Sequence, residues 1–147
     1  MSVELPFAPV DTIIRRNAGD LRVSAEAAAE LARRIQNHGA GLAAEAAERA
    51  TADGRKTLMA GDFPGEGADA EDDELELPIA PVDRIARLDI DDTYRVSMDA
   101  RVALAGVLET YADRVAAAAA VLARHADRRT VKAEDVETYY ELQPYFE

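Results

Sequence analysis

The sequence predicts an all-α fold made of two similar units, each a short helix, a long helix and a short helix, packed together as one intramolecular pair. Three observations predict it: an internal repeat, long proline-free stretches with apolar residues at helical spacing, and an aromatic content of only 5% within 48% hydrophobic residues. Closely packed, alanine-rich helices fit this composition better than a sandwich of two sheets.

The internal repeat consists of three segments that return in the same order. They are residues 4–11 (ELPFAPVD), which return as 76–83 (ELPIAPVD), 22–24 (RVS) as 95–97 (RVS), and 54–57 (GRKT) as 127–130 (DRRT). The offset is 72 positions for the first segment and 73 for the other two. The second copy therefore has one additional residue between Arg87 and Arg95, and the chain contains a duplicated structural unit.

Each copy is predicted to begin with a short helix, and a serine then marks the start of a long helix. Pro9 and Pro81 suit the first position of the opening helices, where a missing amide hydrogen has no consequence. Ser24 and Ser97 are candidate N-caps of the long helices, because a serine hydroxyl accepts a hydrogen bond from a free amide of the first turn. An acidic residue two positions after each serine favours the same helix start.

The long helix of the second copy is predicted between Met98 and Ala126, which is about 28 residues or about 42 Å. Apolar residues recur along one face of it: Leu104, Leu108, Tyr111, Val115 and Leu122. In the first copy the same face is given by Leu31, Ile35 and Leu42. Two short helices cannot cover so long a helix, so we expect the two long helices to cross antiparallel and to share one core.

The repeat predicts three consecutive parts of the chain. Residues 1–63 form the first unit, whose closing helix is shortened to about one turn because one proline and three glycines occupy positions 61–67. Residues 64–75 carry six carboxylates and no basic residue, and we interpret them as a solvated acidic linker. Residues 76–147 form the second unit.

The composition argues against catalysis and against membrane insertion. There is no cysteine, and His38 and His125 are too few for a metal-ligand cluster. Because the chain has no glycine-rich phosphate loop and no nucleophile beside a histidine, we expect neither an enzyme nor a bound cofactor. No apolar run approaches the roughly 18 residues of a membrane span, and the N-terminus lacks the pattern of a signal peptide. We expect a soluble, cytoplasmic protein.

The charge of the chain is strongly acidic. The formal net charge is −12, half of which lies in the linker, and arginine outnumbers lysine 15 to 2. Lys56 and Lys132 are the two lysines. An acid-rich, lysine-poor surface is typical of proteins that work at molar salt, and the alternative is a protein that is acidic without this adaptation.

The duplicated motifs resemble those of archaeal histones. The motifs are ELP(F/I)APV, RVS and (G/D)R(K/R)T in both copies, together with KAEDVE at residues 132–137. Two copies in one acidic chain resemble the tandem histones of halophilic archaea. The resemblance implies that each unit is a histone fold and that the two units form a pseudo-dimer. It also implies a nucleoid-associated protein that binds and bends double-stranded DNA, largely without sequence specificity.

In an antiparallel pair, the first loop of one unit lies beside the second loop of the other. Basic and hydroxyl side chains therefore collect at two ends: Arg22 with Arg128, Arg129 and Thr130, and Arg95 with Arg55, Lys56 and Thr57. Such clusters, with free loop amides, suit the phosphates of DNA. By resemblance, Arg22 and Arg95 enter the minor groove, and the threonines Thr57 and Thr130 orient them. Four arginines of the opening helices are expected to contact phosphates between the ends: Arg15, Arg16, Arg84 and Arg87.

Acidic residues on the opening helices weaken this expected DNA contact. Asp11 and Asp83 stand near the starts of these helices, where a carboxylate repels a phosphate. Thr12 also replaces, in the first copy, the arginine that the second copy has at Arg84.

The resemblance assigns structural and assembly roles to residues near the closing helices. Arg55 with Asp62, and Arg128 with Asp135, share a spacing of seven and are expected to be ion pairs that tie the second loop to the closing helix. His125 and Asp135 are expected in a contact between neighbouring molecules. His125 could instead simply stabilise the end of its helix. Because the first closing helix is short, we expect a monomer, or at most a pair joined through the second units.

A second hypothesis is a histone-fold interaction module, or a transcriptional regulator, that acts through protein partners and binds DNA little. Its docking patch would be the aromatic C-terminus: Tyr139, Tyr140, Tyr145 and Phe146. Core packing explains some of these rings equally well. Charge reversal at Arg22 and Arg95 separates the hypotheses, because DNA binding depends on these arginines only under the first.

Overall fold

The computed structural model describes residues 2–146, and within them five α-helices form two similar units. The first unit contains α1 (Phe7–Ala18) and α2 (Ala25–Ala52). The second contains α3 (Ile79–Ala86), α4 (Met98–His125) and α5 (Ala133–Leu142). Where the second unit has α5, the first has a single 3-10 turn, Ala60–Asp62. The prediction of an all-α fold with short and long helices is confirmed.

The serine caps start both long helices where the sequence predicts them. The hydroxyl of Ser24 accepts a hydrogen bond from the amide of Ala27 at 3.0 Å, and that of Ser97 from Ala100 at 3.1 Å. The predicted helix starts at the prolines are two positions too late: α1 and α3 begin at Phe7 and Ile79, so each proline is the third residue of its helix. It is tolerated there because amides of the first turn have no acceptor within the helix.

Four two-residue strands, which the sequence analysis did not predict, join the loops within residues 2–146. They are β1 (Arg22–Val23), β2 (Thr57–Leu58), β3 (Arg95–Val96) and β4 (Thr130–Val131). β1 pairs in parallel with β4, and β2 pairs in parallel with β3. Each pair joins the start of one long helix to the end of the other, so α2 and α4 run antiparallel.

The two long helices cross within one core to which both units contribute. Its largest fully buried side chains come from both units: Val10, Ile13, Ile14, Leu31, Ile35, Leu58, Leu77, Val82, Ile85, Leu104, Leu108 and Val115. His38 of α2 and Tyr111 of α4, which are equivalent in the repeat, stack with ring centres 3.9 Å apart and planes 11° apart. Burial lowers the pKa of His38.

The acidic linker packs its backbone against α4 at Gly67, so the prediction of a solvated spacer is wrong at this position. Gly67, at φ +96°, contacts Gly106 so closely that neither position has room for a Cβ atom. A Glu66 carboxylate oxygen lies 2.8 Å from Nη2 of Arg114. The linker carboxylates from residue 71 to residue 74 are exposed, as expected. Within residues 2–146, no helix is long and apolar enough to cross a membrane.

Candidate nucleic-acid interface

The β1–β4 pair and its flanking residues, 19–24 and 124–132, form what we call the first loop end. The amide of Arg22 donates to the carbonyl of Arg129 at 2.8 Å, and Arg22 lies opposite Thr130 in the pair. Both arginines are exposed, and neither forms an ion pair with a residue in the range 2–146. Arg124, which the sequence analysis did not select, also lies here and donates from Nη2 to the carbonyl of Ala18 at 2.9 Å.

The β2–β3 pair and residues 51–59 and 87–97 form the second loop end. The amide of Arg95 donates to the carbonyl of Lys56 at 2.8 Å, and Arg95 lies opposite Thr57. Nζ of Lys56 is 4.7 Å from the centre of the Tyr94 ring. Arg95 and Lys56 are exposed and have no ion-pair partner in the part of the chain that the structure describes. Both loop ends thus combine an exposed arginine, a threonine and a second exposed cation.

Arg55 and Arg128 face inward from the loop ends. Arg55 donates through Nη1 and Nη2 to the two oxygens of Asp62 at 2.9 and 3.0 Å. Arg128 donates in the same way to Asp135 at 2.7 and 2.5 Å. The hydrogen bonds from Arg55, followed by that from the amide of Met59, lower the pKa of Asp62. These contacts tie each second loop to the segment that follows it.

The opening-helix arginines are each paired with a carboxylate. Three of the pairs are Arg15 with Asp11 at 2.7 Å, Arg84 with Glu4 at 2.9 Å, and Arg87 with Asp83 at 3.1 Å. These pairs are exposed on the arginine side, and water and salt weaken them. The carboxylates of these pairs still offset the positive charge that we expected between the loop ends.

The fourth, Arg16, is part of a network that joins the two units. Its Nε donates to Asp113 at 2.9 Å, and its Nη2 donates to Glu109 at 3.0 Å. Glu109 is 6% exposed and also accepts from the amides of Glu76 and Leu77 at 2.7 and 2.9 Å. Hydrogen bonds to Asp113 and then Glu109 raise the pKa of Arg16. Its guanidinium is engaged within the protein instead of facing a phosphate.

The buried position of Asp135 contradicts the expectation that it contacts a neighbouring molecule. Asp135 is only 2% exposed, and both of its oxygens accept from Arg128, so it presents no atom to a neighbouring molecule. His125 is exposed at the end of α4. The arginine partner seven positions earlier is the reason that Asp135 turns inward.

Next to His125 lies a surface that we call the apolar end. A groove of about 300 Å³ there is lined by Ala118, Val121, Leu122, Tyr139, Leu142 and Phe146. Val121 is 61% exposed and Phe146 57% exposed. The positions of α2 that match Ala118, Val121 and Leu122 in the repeat are Glu45, Glu48 and Arg49. The apolar end therefore exists in the second unit only.

The aromatic C-terminus divides between core and surface. Tyr140 packs between the two units, with Arg34 4.2 Å above its ring and its hydroxyl hydrogen-bonded to that of Tyr111. Burial, and then that hydrogen bond, raises the pKa of Tyr140. Tyr145 is 83% exposed and Phe146 is largely exposed. Among residues 2–146, no group of three or more histidine, cysteine or acidic side chains is placed to hold a metal ion.

Two short–long helical units that cross into one core, with paired loops that carry exposed arginines, define a protein of the histone-fold class. The family model described as histone-like transcription factor (CBF/NF-Y) and archaeal histone matches the chain twice, at residues 3–63 and 75–138. The chain belongs to this family.

Similar proteins agree with this assignment. An archaeal histone of Thermococcus zilligii, one of the subunits of histone HAN1, is 57% identical over 61 residues, which cover 42% of this chain and 88% of that protein. The crystal structure of the histone from Methanopyrus kandleri superposes with a TM-score of 0.70 at 29% identity and covers 90% of this chain and 91% of that one. A Thermus thermophilus protein superposes with a TM-score of 0.71, covering 98% and 99% of the chains, and at 18% identity it shows the fold alone.

Proposed function

We propose that this protein binds and bends double-stranded DNA as an architectural, nucleoid-associated protein, largely without sequence specificity. The observation that carries the proposal is the pair of loop ends, each with an exposed arginine opposite a threonine and without an ion-pair partner in residues 2–146. Guanidinium groups and loop amides bind phosphates of any sequence, and an arginine can enter a narrowed minor groove. Membership of a family that includes archaeal histones supports the same function.

The three parts of the chain have separate roles in this proposal. Residues 1–63 and 76–147 are the two histone folds, and residues 64–75 connect them. Arg22 and Arg95 are the minor-groove arginines, and Thr57 and Thr130 orient them. The exposed cations Lys56 and Arg129 contact the phosphate backbone, whereas Arg55 and Arg128, which were expected to contact DNA as well, bind carboxylates within the protein.

The working environment in this proposal is a cytoplasm at molar salt. A net charge of −12 with two lysines repels DNA at low ionic strength. At about 1 M salt the Debye length is near 3 Å, so this repulsion is screened and direct contacts at the loop ends decide binding. Counterion release also contributes less there, and the resulting affinity is modest.

A discrete pair of molecules, joined through the second units, is the proposed assembly. The apolar end offers Val121 and Phe146 to a partner surface, whereas the matching positions of α2 are charged. A twofold contact uses the same surface on both molecules, so a pair joined through the apolar end is closed and does not extend into a filament.

Fluorescence anisotropy with a generic duplex, from about 0.1 M to about 3 M KCl, tests the DNA proposal. We expect saturable binding, and a loss of at least about tenfold in affinity for Arg22→Glu/Arg95→Glu. Arg33→Glu/Arg114→Glu makes the same change of net charge away from the loop ends and should retain most of the binding. Energy transfer across an end-labelled duplex of about 20–30 base pairs, which is much shorter than the persistence length of about 150 base pairs, reports bending.

Absence of binding at every salt concentration, by a protein that circular dichroism shows to be folded, would contradict the proposal. The exposed apolar end would then favour the second candidate, an interaction module that acts through protein partners.

A further inference from the structure

The two loop ends are equivalent in the repeat but differ in their cations. Arg124 at the first loop end corresponds to Thr51 at the second, and Lys132 corresponds to Met59. Arg124 and Lys132 are exposed. Thr51 instead bonds through its hydroxyl to the hydroxyl of Tyr94, and Met59 carries no charge. The first loop end therefore has two more cations than the second.

The additional residue of the second copy gives the second loop end a longer, more acidic loop. Asp89, Asp91 and Asp92 are all exposed there, whereas the matching loop of the first copy carries Asp20 alone. Asp91 accepts from the amide of Thr93 at 2.9 Å, which lowers the pKa of Asp91 and keeps its carboxylate charged. These carboxylates lie within three to six positions of Arg95 along the chain.

The linker adds negative charge beside the second loop end. A groove of about 430 Å³ at the start of α4 is lined by four carboxylates: Asp69, Glu71, Asp72 and Asp99. The matching groove at the first loop end lies between the starts of α2 and α5. It is lined by two carboxylates, Glu26 and Glu134, by the cation Lys132 and by no linker residue. Chain connectivity explains the difference, because only the first unit is followed by the linker.

The first loop end has four cations and two carboxylates that form no ion pair within residues 2–146. The cations are Arg22, Arg124, Arg129 and Lys132, and the carboxylates are Asp20 and Asp127. The second loop end has two cations, Lys56 and Arg95, against Asp89, Asp91 and Asp92. All of these groups act together on a nearby phosphate at about 0.1 M salt, where the Debye length is about 10 Å.

We infer that DNA is held asymmetrically: the first loop end is the principal phosphate-binding end, with Arg124 as a further DNA-contact residue, and the second loop end contributes weakly. This inference rests on the proposed DNA binding and adds to it which end dominates. Arg124 uses one N–H to bind the carbonyl of Ala18, which fixes its guanidinium beside the Arg22 loop and leaves its other donors for a phosphate.

Two matched double variants test the asymmetry by anisotropy with the full chain and a generic duplex. Arg22→Glu/Arg129→Glu and Arg95→Glu/Lys56→Glu change the net charge equally. At about 0.1–0.3 M KCl we expect the first to reduce affinity at least about tenfold and the second by no more than about threefold. Equal losses, or a larger loss for the second variant, would overturn the asymmetry and leave DNA binding intact. Absence of binding by the unmodified protein at every salt concentration from about 0.1 M to about 3 M KCl would instead refute the proposed function itself.

Milder variants make the test independent of any effect of charge reversal on folding. Asp91→Asn/Asp92→Asn should raise the affinity for DNA by removing negative charge from the second loop end. The gain in affinity should be larger than the gain from Asp20→Asn/Asp127→Asn at the first loop end. An asparagine at position 91 keeps the oxygen that accepts from Thr93. A smaller gain in affinity for Asp91→Asn/Asp92→Asn than for Asp20→Asn/Asp127→Asn would argue against the inference.

Arg124→Gln tests the new contact residue. If Arg124 binds a phosphate, the slope of log affinity against log salt should fall in magnitude by about one, which a purely structural role would not cause. An unchanged slope would remove Arg124 from the interface.

Discussion

Asp62 and Asp135 are single side chains that each hold a loop end in place. Each carboxylate accepts two hydrogen bonds from an arginine seven positions earlier and one from the backbone amide three positions earlier, at 2.8 Å for both Met59 and Lys132. Both carboxylates are almost fully buried, so loss of the charge removes the buried partner of an arginine. Their effect on DNA binding is therefore indirect, through the geometry of the loops.

We predict that Asp62→Asn lowers the melting temperature by about 5 °C near neutral pH. The folded pKa of Asp62 is depressed below the unfolded value of about 3.9, so its stabilisation is present above that value and is lost as pH falls through the folded pKa. Melting curves of the two proteins should therefore converge in acid. Asp53→Asn, at an exposed partner of Arg55, is the control with little effect. A difference that stays constant down to about pH 3 would contradict this account.

Short-range residue roles could be predicted from the sequence, and long-range ones could not. The pairs of Arg55 and Arg128 follow from a repeated spacing of seven. Arg16 and Arg124 have partners 93 and 106 positions away, so their roles depend on how the two units pack. Motif spacing within one unit carries no information about such contacts.

Among the helices, α2 has two glycines that stand two positions apart and have opposite surroundings. A Cβ atom at Gly39 would lie 2.8 Å from Cγ2 of Ile85 and 2.9 Å from Cδ1 of Leu108, whereas one at Gly41 would meet nothing within 4 Å. Gly39 therefore allows α2 to approach α3 and α4 closely. Gly41 is an exposed helical glycine with no such role.

We predict that Gly39→Ala destabilises the fold by about 1–3 kcal/mol through overpacking, even though alanine favours the helix. Gly41→Ala, its matched control on the same helix, should stabilise by about 0.5–1 kcal/mol. Urea denaturation followed by circular dichroism measures both. Stabilisation by both substitutions would show that the core near Gly39 yields easily to an added methyl group.

The linker shows where composition misleads at the scale of an element. Glycine, proline and carboxylates predict a solvated spacer, and the carboxylates from residue 71 to residue 74 are indeed exposed. The close packing of Gly67 on Gly106 requires two glycines that lie far apart in sequence, and neither alone signals the contact. The two-residue strands could not be predicted because they are too short for an alternating pattern to be recognised.

For the whole molecule, the repeat was enough to predict the fold. Duplicated caps and a long amphipathic helix that its own unit cannot cover require the units to share one core. The approximate symmetry that results is broken at the closing helix, the linker, the charged residues of the loop ends and the apolar end. The loop ends are the basis of the asymmetric DNA binding that we infer, and the apolar end is the basis of the proposed pair.

We predict that the protein forms a pair and nothing larger as its concentration rises. The apolar end lies in the second unit, and a twofold contact between two copies of it is closed because each molecule uses this surface once. Val121→Glu/Leu142→Glu should abolish the pair in sedimentation equilibrium, because it buries charge in the contact. Glu48→Lys, at the position of α2 that matches Val121, is the control and should leave the pair unchanged. Open-ended growth with concentration, or a pair that survives the double substitution, would show that another surface mediates association.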